Sequence, residues 1–460
     1  MPDLIETLRS SLSEGAVLTG EDAAAAAAAS PWTRLGEPCA VLRPRSTDEV
    51  SAILKAAYAA GQSVTAWGGK TGLVEGCRAD GALALSLERM NRIEAIDPVA
   101  AVMTVQAGCV LQSACEAAEA EGFLLPLDLG ARGSATIGGN ISTNAGGNRV
   151  IRYGMMRDLV LGLEAVLADG TVVTSMNRLI KNNTGYDLKQ LFIGSEGTLG
   201  VVTRAVLRLA PLPASQTVAF LGVQSFEHLP RLLRRLQTGL GGALSAFEVM
   251  WDDFYQLVTT EPARGRPVLE GRYPYYVLVE ASGADAAEME ARFEAALAGA
   301  LEAGEADDAV IAKSRAEAGQ IWALRDDVGQ TGRNRPIFAF DVSLGVADME
   351  AYVAGLRETL AARWSAPTCV VFGHLGDGNL HVIVGVGASD RETRHAVEEI
   401  VYAPLAPIGG SISAEHGIGL QKRDFLPLSR SPAELALMRT LKQALDPKGI
   451  LNPGKIFELV

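Results

Sequence analysis

Four scarcities bound this 460-residue sequence before any motif is considered. Cysteine occurs five times, at 39, 77, 109, 115 and 369, with no C-x-x-C pair. That argues against a disulfide framework, a cysteine zinc site and an iron–sulfur cluster, and it fits a reducing cytoplasm. No run approaches the roughly 18 apolar residues of a membrane span. The N-terminus carries Asp3, Glu6 and Glu14 and lacks the basic region and apolar stretch of a secretory signal. Positive charge is also in deficit: 41 Lys and Arg against 54 Asp and Glu give a net −13. Phosphate backbones and anionic lipid need clustered cations, so neither nucleic acid nor a membrane surface is an expected partner. Histidine is as scarce as cysteine, five residues with none before His228.

What is present is globular in balance, 48% hydrophobic and 21% charged. The length implies two or three domains. Residues 1–30 read as helical, with Ala23 to Ala29 as strong formers stopped by Ser30-Pro31. From Cys39 a mixed pattern begins. Ala40 to Leu42 reads as a strand, and Ser46 with Glu49 opens a helix that ends at Gly61. Strands follow at 63–67, 82–87 and 101–106, then a helix over 111–121. The stretch from Gly130 to Gly154 has too few apolar positions for regular structure and reads as a functional loop. Strands at 160–167 and 171–174 are joined by Asp169-Gly170, a type I′ hairpin signal. Pro211 to Pro213 marks a boundary, after which amphipathic helices (229–236, 286–301) alternate with strands (217–223, 275–280, 337–342). Apolar segments at 368–374 and 380–386 flank Gly376-Asp377-Gly378 as a hairpin, and a helix is expected over 432–445.

Three loops in the first half carry glycine where backbone must approach a ligand. Trp67-Gly68-Gly69-Lys70-Thr71-Gly72-Leu73 follows a strand, and its N–H groups can converge on an anion. It is neither a P-loop nor a Rossmann fingerprint. Ser134-Ala135-Thr136-Ile137-Gly138-Gly139-Asn140, continued through Ser142-Thr143-Asn144, is dense in hydroxyls and amides. Ile193-Gly194-Ser195-Glu196-Gly197-Thr198-Leu199-Gly200 is the third. Together they suggest a long polar ligand wrapped by backbone. The second half concentrates the histidines: His374 and His381 flank a glycine turn, and Glu415-His416 sits in Ser413-Ala414-Glu415-His416-Gly417. Two His and a carboxylate make a divalent-metal site with an open position. His228 and His395 lie on helical surface patterns and receive no role.

The glycine loops, with the closing Leu451-Asn452-Pro453-Gly454-Lys455, resemble the FAD-binding domain of the vanillyl-alcohol oxidase/p-cresol methylhydroxylase superfamily. The resemblance implies FAD held by Trp67, Gly68, Gly69, Lys70, Thr71, Gly72 and Leu73 at the pyrophosphate. Ser134, Thr136, Gly138, Gly139, Asn140 and Thr143 would lie along the ribityl chain and ring. Gly200 and Val201 fall on the adenine side, and Asn452 near the isoalloxazine. A histidyl linkage is excluded from a domain without histidine; Cys77 and Cys109 remain chemically open, but non-covalent FAD is expected. The second constellation resembles the metal-dependent D-2-hydroxy acid dehydrogenases. By that resemblance His374, His381 and Glu415 hold zinc or manganese, His416 is the general base and Arg325 binds the substrate carboxylate. Where hydroxyglutarate-type members have threonine, lysine and asparagine, this chain has Gly329, Ala339 and Ile383, the last closer to lactate-type members.

The expected fold is α+β: an N-terminal helical segment (1–37), an FAD-binding domain of that superfamily (38–212), an α+β substrate or cap domain (213–395), and a helical C-terminal segment (396–460). The expected function is oxidation of a D-2-hydroxy acid to the 2-oxo acid, with electrons passed to an external acceptor and a second copy of the chain as one partner. Two rivals stay open: the flavin subunit of a multi-chain glycolate oxidase, and a non-catalytic flavin- and metal-binding scaffold.

Overall fold

The computed structural model describes residues 2–28, 30 and 33–458. The chain divides into two units, residues 1–147, 154–212 and 415–460 in the first, and 148–153 with 213–414 in the second.

In the first unit, Ser46 accepts from Glu49 N–H (3.2 Å) and starts the helix Thr47–Ala60, which Gly61 ends at φ +65°. This helix buries Val50, Ile53, Leu54 and Ala57. It connects strands of a four-stranded sheet ordered Val17–Leu18, Ala40–Leu42, Leu83–Ser86, Val64–Trp67, whose last three are parallel. The C-terminus returns to this sheet's edge, where Val64 N–H donates to Ile450 O and Asn452 N–H to Val64 O, both at 2.8 Å. The closing motif therefore lies beside the strand that feeds the first glycine loop. A five-stranded antiparallel sheet completes the unit, ordered Ile93–Asp97, Val102–Gln106, Val201–Arg208, Val160–Val166, Val172–Ser175.

The second unit is built on seven antiparallel strands in the order Asp308–Ile311, Ser215–Val223, Tyr275–Gly283, Leu244–Trp251, Thr368–His374, Asn379–Gly385, Ile337–Ser343. Helices Asp252–Thr259 and Arg315–Asp326 cover one face through Phe254, Tyr255, Val258, Ile321 and Leu324, packed on Phe220, Tyr276, Leu278, Phe372 and Ile383. Strand alternation puts Glu280, Glu248, His374, His381 and Asp341 on that same face, because cross-strand partners share a side.

Several expectations need correction. The 1–30 stretch is two helices, Pro2–Ser11 and Gly20–Ala28, with strand Val17–Leu18 between; Ala29 and Pro31 lie outside the described residues. The 130–154 loop contains a helix, Ile137–Thr143, opened by Thr136 Oγ1 accepting from Gly139 N–H and anchored by buried Ile137 and Ile141, and a helical turn, Val150–Tyr153. The hairpin at 160–175 is real, but only Gly170 has positive φ (+88°), so its turn is not type I′. Strands Ile93–Asp97 and Leu244–Trp251 were not foreseen. The second unit continues to Ala414, past 395, because helix Arg391–Tyr402 covers its sheet: Arg394 lies over Phe338 and Tyr402 meets Phe340 edge-on. Ser411 then pairs with Ser343.

Candidate active site

Within the first unit the glycine loops assemble. Gly68 and Gly69 press against the second loop so tightly that a Cβ on Gly69 would fall 2.1 Å from Ser134 O. Trp67 is buried and donates Nε1–H to Cys77 O (2.7 Å), closing the first loop behind this contact. The third loop docks by Gly194 N–H to Ile141 O (3.0 Å) and Glu196 N–H to Ser142 O (2.8 Å). Asn452 Nδ2 donates to Glu196 O (2.5 Å). Its neighbour Leu451 is held by a buried pair in which Lys442 Nζ bonds Asp446 Oδ2 (2.5 Å), Thr198 O and Leu451 O (both 2.8 Å).

This cradle has unmet polar demand. Among the described residues Thr65 Oγ1, Asn140 Nδ2 and Asn452 Oδ1 are buried without a hydrogen-bond partner, which a folded chain avoids unless a bound group supplies one. Lys455 is buried too, and its Nζ donates to Arg78 O (2.6 Å). Burial brings its pKa down to about 8, against the support of Cys77 and Asp80. Buried donors, an orphan acceptor and a buried cation fit an anionic cofactor with both donors and acceptors, as FAD is. Burial pushes the Cys77 and Cys109 thiols up to about 11, so neither is poised as a thiolate.

In the second unit the hairpin places His374 and His381 with Nε2 atoms 3.3 Å apart. Each Nδ1 faces a carboxylate: His374 with Glu248 Oε1 (2.7 Å), His381 with Asp341 Oδ1 (2.6 Å). An ionised carboxylate only accepts, so both Nδ1 atoms carry hydrogen and both Nε2 lone pairs point into one space. Two nitrogens at about 2.0–2.1 Å from one ion span such a separation at a near-tetrahedral angle. The carboxylates behind them are the usual backing of metal histidines. Burial would raise the Glu248 carboxyl, but the His374 imidazole and the Arg325 guanidinium beside it hold it below its ordinary value.

Arg325 is buried beside the pair, its Nε donating to Glu248 Oε2 (2.8 Å) and its Nη2 3.1 and 3.2 Å from the two Nε2 atoms. The Phe372 ring packs against both His381 and the guanidinium. Glu415 and His416, both half-buried, open the returning segment of the first unit, one peptide beyond Ala414, whose N–H donates to Asp341 O (3.2 Å). Beyond them the loop is clamped by Glu196, whose buried carboxylate accepts from Ile418 N–H (2.7 Å) and Gly419 N–H (2.8 Å).

The sequence reading missed Glu248, Asp341 and Glu196. For the first two a signal existed: each is a lone carboxylate inside an apolar strand, Ala246-Phe247-Glu248-Val249 and Ala339-Phe340-Asp341-Val342. A buried charge there must have a partner.

Residues 212–456 match the family described as FAD linked oxidases, C-terminal domain, and residues 38–175 match the FAD binding domain. D-2-hydroxyglutarate dehydrogenase of Rattus norvegicus, named as mitochondrial, is 43% identical over 92% of this chain and 79% of its own length. The enzyme of that name from Xanthomonas citri pv. viticola is 41% identical over 93% and 91%. A putative mitochondrial D-lactate dehydrogenase of Schizosaccharomyces pombe is 37% identical over 91% and 82%. Among solved structures, p-cresol methylhydroxylase superposes with TM-score 0.77 over 99% of this chain and 97% of its own, at 16% identity. The 4-ethylphenol oxidase of Gulosibacter chungangensis gives 0.76 over the same shares, at 18%. The fold is thus that of the vanillyl-alcohol oxidase/p-cresol methylhydroxylase type, and no helix among the described residues is long and apolar enough to cross a membrane. The chain belongs to the family of FAD-linked oxidases.

Proposed function

We propose that this chain is an FAD-dependent, metal-assisted dehydrogenase that converts a D-2-hydroxy acid to the 2-oxo acid and passes the electrons to an external acceptor. The observation that carries the reading is the His374/His381 pair, two lone pairs 3.3 Å apart with a carboxylate behind each ring. The names of the relatives point the same way. Bound FAD supplies a two-electron acceptor, and a divalent ion, zinc or manganese, supplies a Lewis acid at the substrate hydroxyl.

His374 and His381 would hold the ion with Glu415, whose preceding residue is anchored on the strand next to His381. Arg325 would bind the substrate carboxylate through its guanidinium. His416 would take the hydroxyl proton on a ring nitrogen. Trp67 to Leu73, Ser134, Thr136, Gly138, Gly139, Asn140, Thr143, Gly200, Val201 and Asn452 would bind FAD without a covalent bond; five thiols with no disulfide suit a reducing compartment. Anaerobic bleaching of the yellow protein by a panel of D- and L-hydroxy acids tests the whole reading. No bleaching by any D-acid would refute it. Acid precipitation is expected to leave the colour in the supernatant; a yellow pellet would show a covalent link.

The best substrate is expected to be a monocarboxylate with an apolar tail. Ile383 is buried on the His381 face of its strand, directly opposite Ala339, and Gly329 lies in the short 3-10 helix Val328–Asn334. None offers a charge or a side-chain donor to a second carboxylate, whose transfer from water costs several kcal/mol unless it is met. Of the two nearby cations, Arg333 and Arg335, Arg333 turns to Gln330 Oε1 and Thr260 O. Comparing kcat/KM for D-lactate, longer D-2-hydroxyalkanoates, D-malate and D-2-hydroxyglutarate decides the point. A dicarboxylate ahead by about tenfold, or 1.4 kcal/mol, would reverse this assignment.

Lys455 gives a pH signature. Its pKa in the fold, about 8, lies below that of an unfolded lysine, so the unfolded chain binds more protons between about pH 8 and pH 10.4. Stability rises with pH wherever that holds. The flavin-free protein should therefore gain stability over this window relative to Lys455→Met, and FAD should suppress the gain. Parallel melting curves for the two flavin-free proteins across this range would refute it.

A further inference from the structure

Residues 148–153 belong to the second unit, although the chain on both sides belongs to the first and the preceding stretch is the second glycine loop. Three side chains fasten this excursion within the second unit. Arg149 grips Glu280 with two bonds, Nε to Oε1 (2.8 Å) and Nη2 to Oε2 (3.0 Å). Arg152 Nη1 donates to Ala243 O (3.1 Å) and Ser282 O (2.6 Å). Ile151 fills the hollow under Gly376, where a Cβ would come within 2.7 Å of its Cδ1. Gly376 stands in the turn between His374 and His381.

Glu280 is fully buried and accepts from three further groups: Ser245 Oγ (2.7 Å), Gln216 Nε2 (2.7 Å) and Trp322 Nε1 (3.1 Å). Trp322 lies one helical turn before Arg325 on helix Arg315–Asp326, and the Arg149 guanidinium sits 5.8 Å over its ring. The helix is thus tied to the sheet at two buried carboxylates, by Trp322 to Glu280 and by Arg325 to Glu248. One six-residue segment consequently braces both the helix that carries Arg325 and the turn that joins the two histidines.

We propose that Arg149 and Glu280 are positioning residues for hydroxy acid oxidation, setting the Arg325 helix and, through the segment that carries Ile151, the His374–His381 turn. The proposal rests on the functional reading above. Neither residue touches substrate; both act through the groups they hold. A displacement of about 1 Å at a reacting centre can cost on the order of 10²-fold in rate, so a loosened brace is readable in kinetics.

The test uses the FAD- and metal-loaded protein with Glu280→Gln, Arg149→Lys and, as control, Gln216→Met, which removes a donor to the same carboxylate and leaves the Arg149 and Trp322 bonds to it in place. For the first two we expect wild-type FAD and metal content. Flavin reduction at saturating substrate should be slower by about tenfold or more, KM should rise, and amide exchange should quicken over residues 318–326 and 374–379. Gln216→Met should stay near wild type. Wild-type reduction, KM and exchange in both variants, with only a lowered Tm, would overturn the proposal and leave an ordinary structural ion pair. If Glu280→Gln does not fold, Arg149→Lys, which keeps the charge and loses the fork, gives the answer. If the wild-type flavin is bleached by no hydroxy acid, the functional reading fails, and unchanged exchange over the two stretches would overturn the brace independently.

Discussion

Replacing His416 by asparagine is expected to slow anaerobic flavin reduction by about 10²-fold or more while FAD and metal stay bound, as removal of a general base does. Asparagine keeps polarity and approximate volume and still hydrogen-bonds, but it cannot take a proton near neutral pH. The loop should survive the change, because it is pinned outside residue 416, by Ala414 N–H on Asp341 O before it and by Ile418 and Gly419 N–H on Glu196 after it. Loss of rate then reports proton transfer and not collapse of the segment. Stopped-flow reduction at the wild-type rate would remove His416 from the mechanism.

Chelation, or His374→Ala, is expected to abolish turnover and leave the protein yellow. The glycine loops proposed to hold the cofactor lie in the first unit, joined by Gly194, Glu196 and Asn452. The histidine pair belongs to the second. Without an ion the two Nε2 atoms face each other and the guanidinium of Arg325, and an alcohol at neutral pH keeps its proton. Elemental analysis should track activity, with manganese or zinc restoring the chelated enzyme. Full activity in a preparation shown to be metal-free would refute the assignment. His374→Ala also leaves Glu248 with one partner fewer, and a buried charge so treated can cost about 3–5 kcal/mol, so its FAD content must be measured beside its rate.

What the sequence revealed follows from how local each signal was. Helix Pro432–Leu445 was legible to the residue, since Ser431 and Glu434 cap it reciprocally and Pro432 begins it. The histidine hairpin was legible because Gly378, at φ +86°, sits between two apolar runs. Helix Ile137–Thr143 was not: only two apolar side chains anchor it, and the rest of its support comes from distant contacts such as Gly138 N–H on Ala107 O. Strand Leu244–Trp251 was missed because all eight residues are buried, which erases alternation, and Glu248 interrupts its apolar run. In the nucleus of the candidate site His374 and His381 were read from chemistry, and Arg325 from the family resemblance. The pairing of its carboxylates with the histidines was not legible, because Glu248 and Asp341 lie 126 and 40 residues away in sequence from the rings they orient.

The Glu196 clamp bears on how such an enzyme could be rebuilt. One residue supplies its main-chain oxygen to Asn452 and its carboxylate to the loop after His416, so the closing motif and that loop share a single anchor. Gly417 is held to glycine by the same residue, since a Cβ there would lie 2.7 Å from the Glu196 carboxyl carbon. A chimera that imports the 413–419 loop from a relative with different substrate preference must bring a matching acceptor at 196, whereas the hairpin 368–385 carries no such obligation to that residue. Recombination breakpoints placed between 196 and 417 should therefore be poorly tolerated whenever the parents differ at either position, and a library built to ask the question would record that linkage directly.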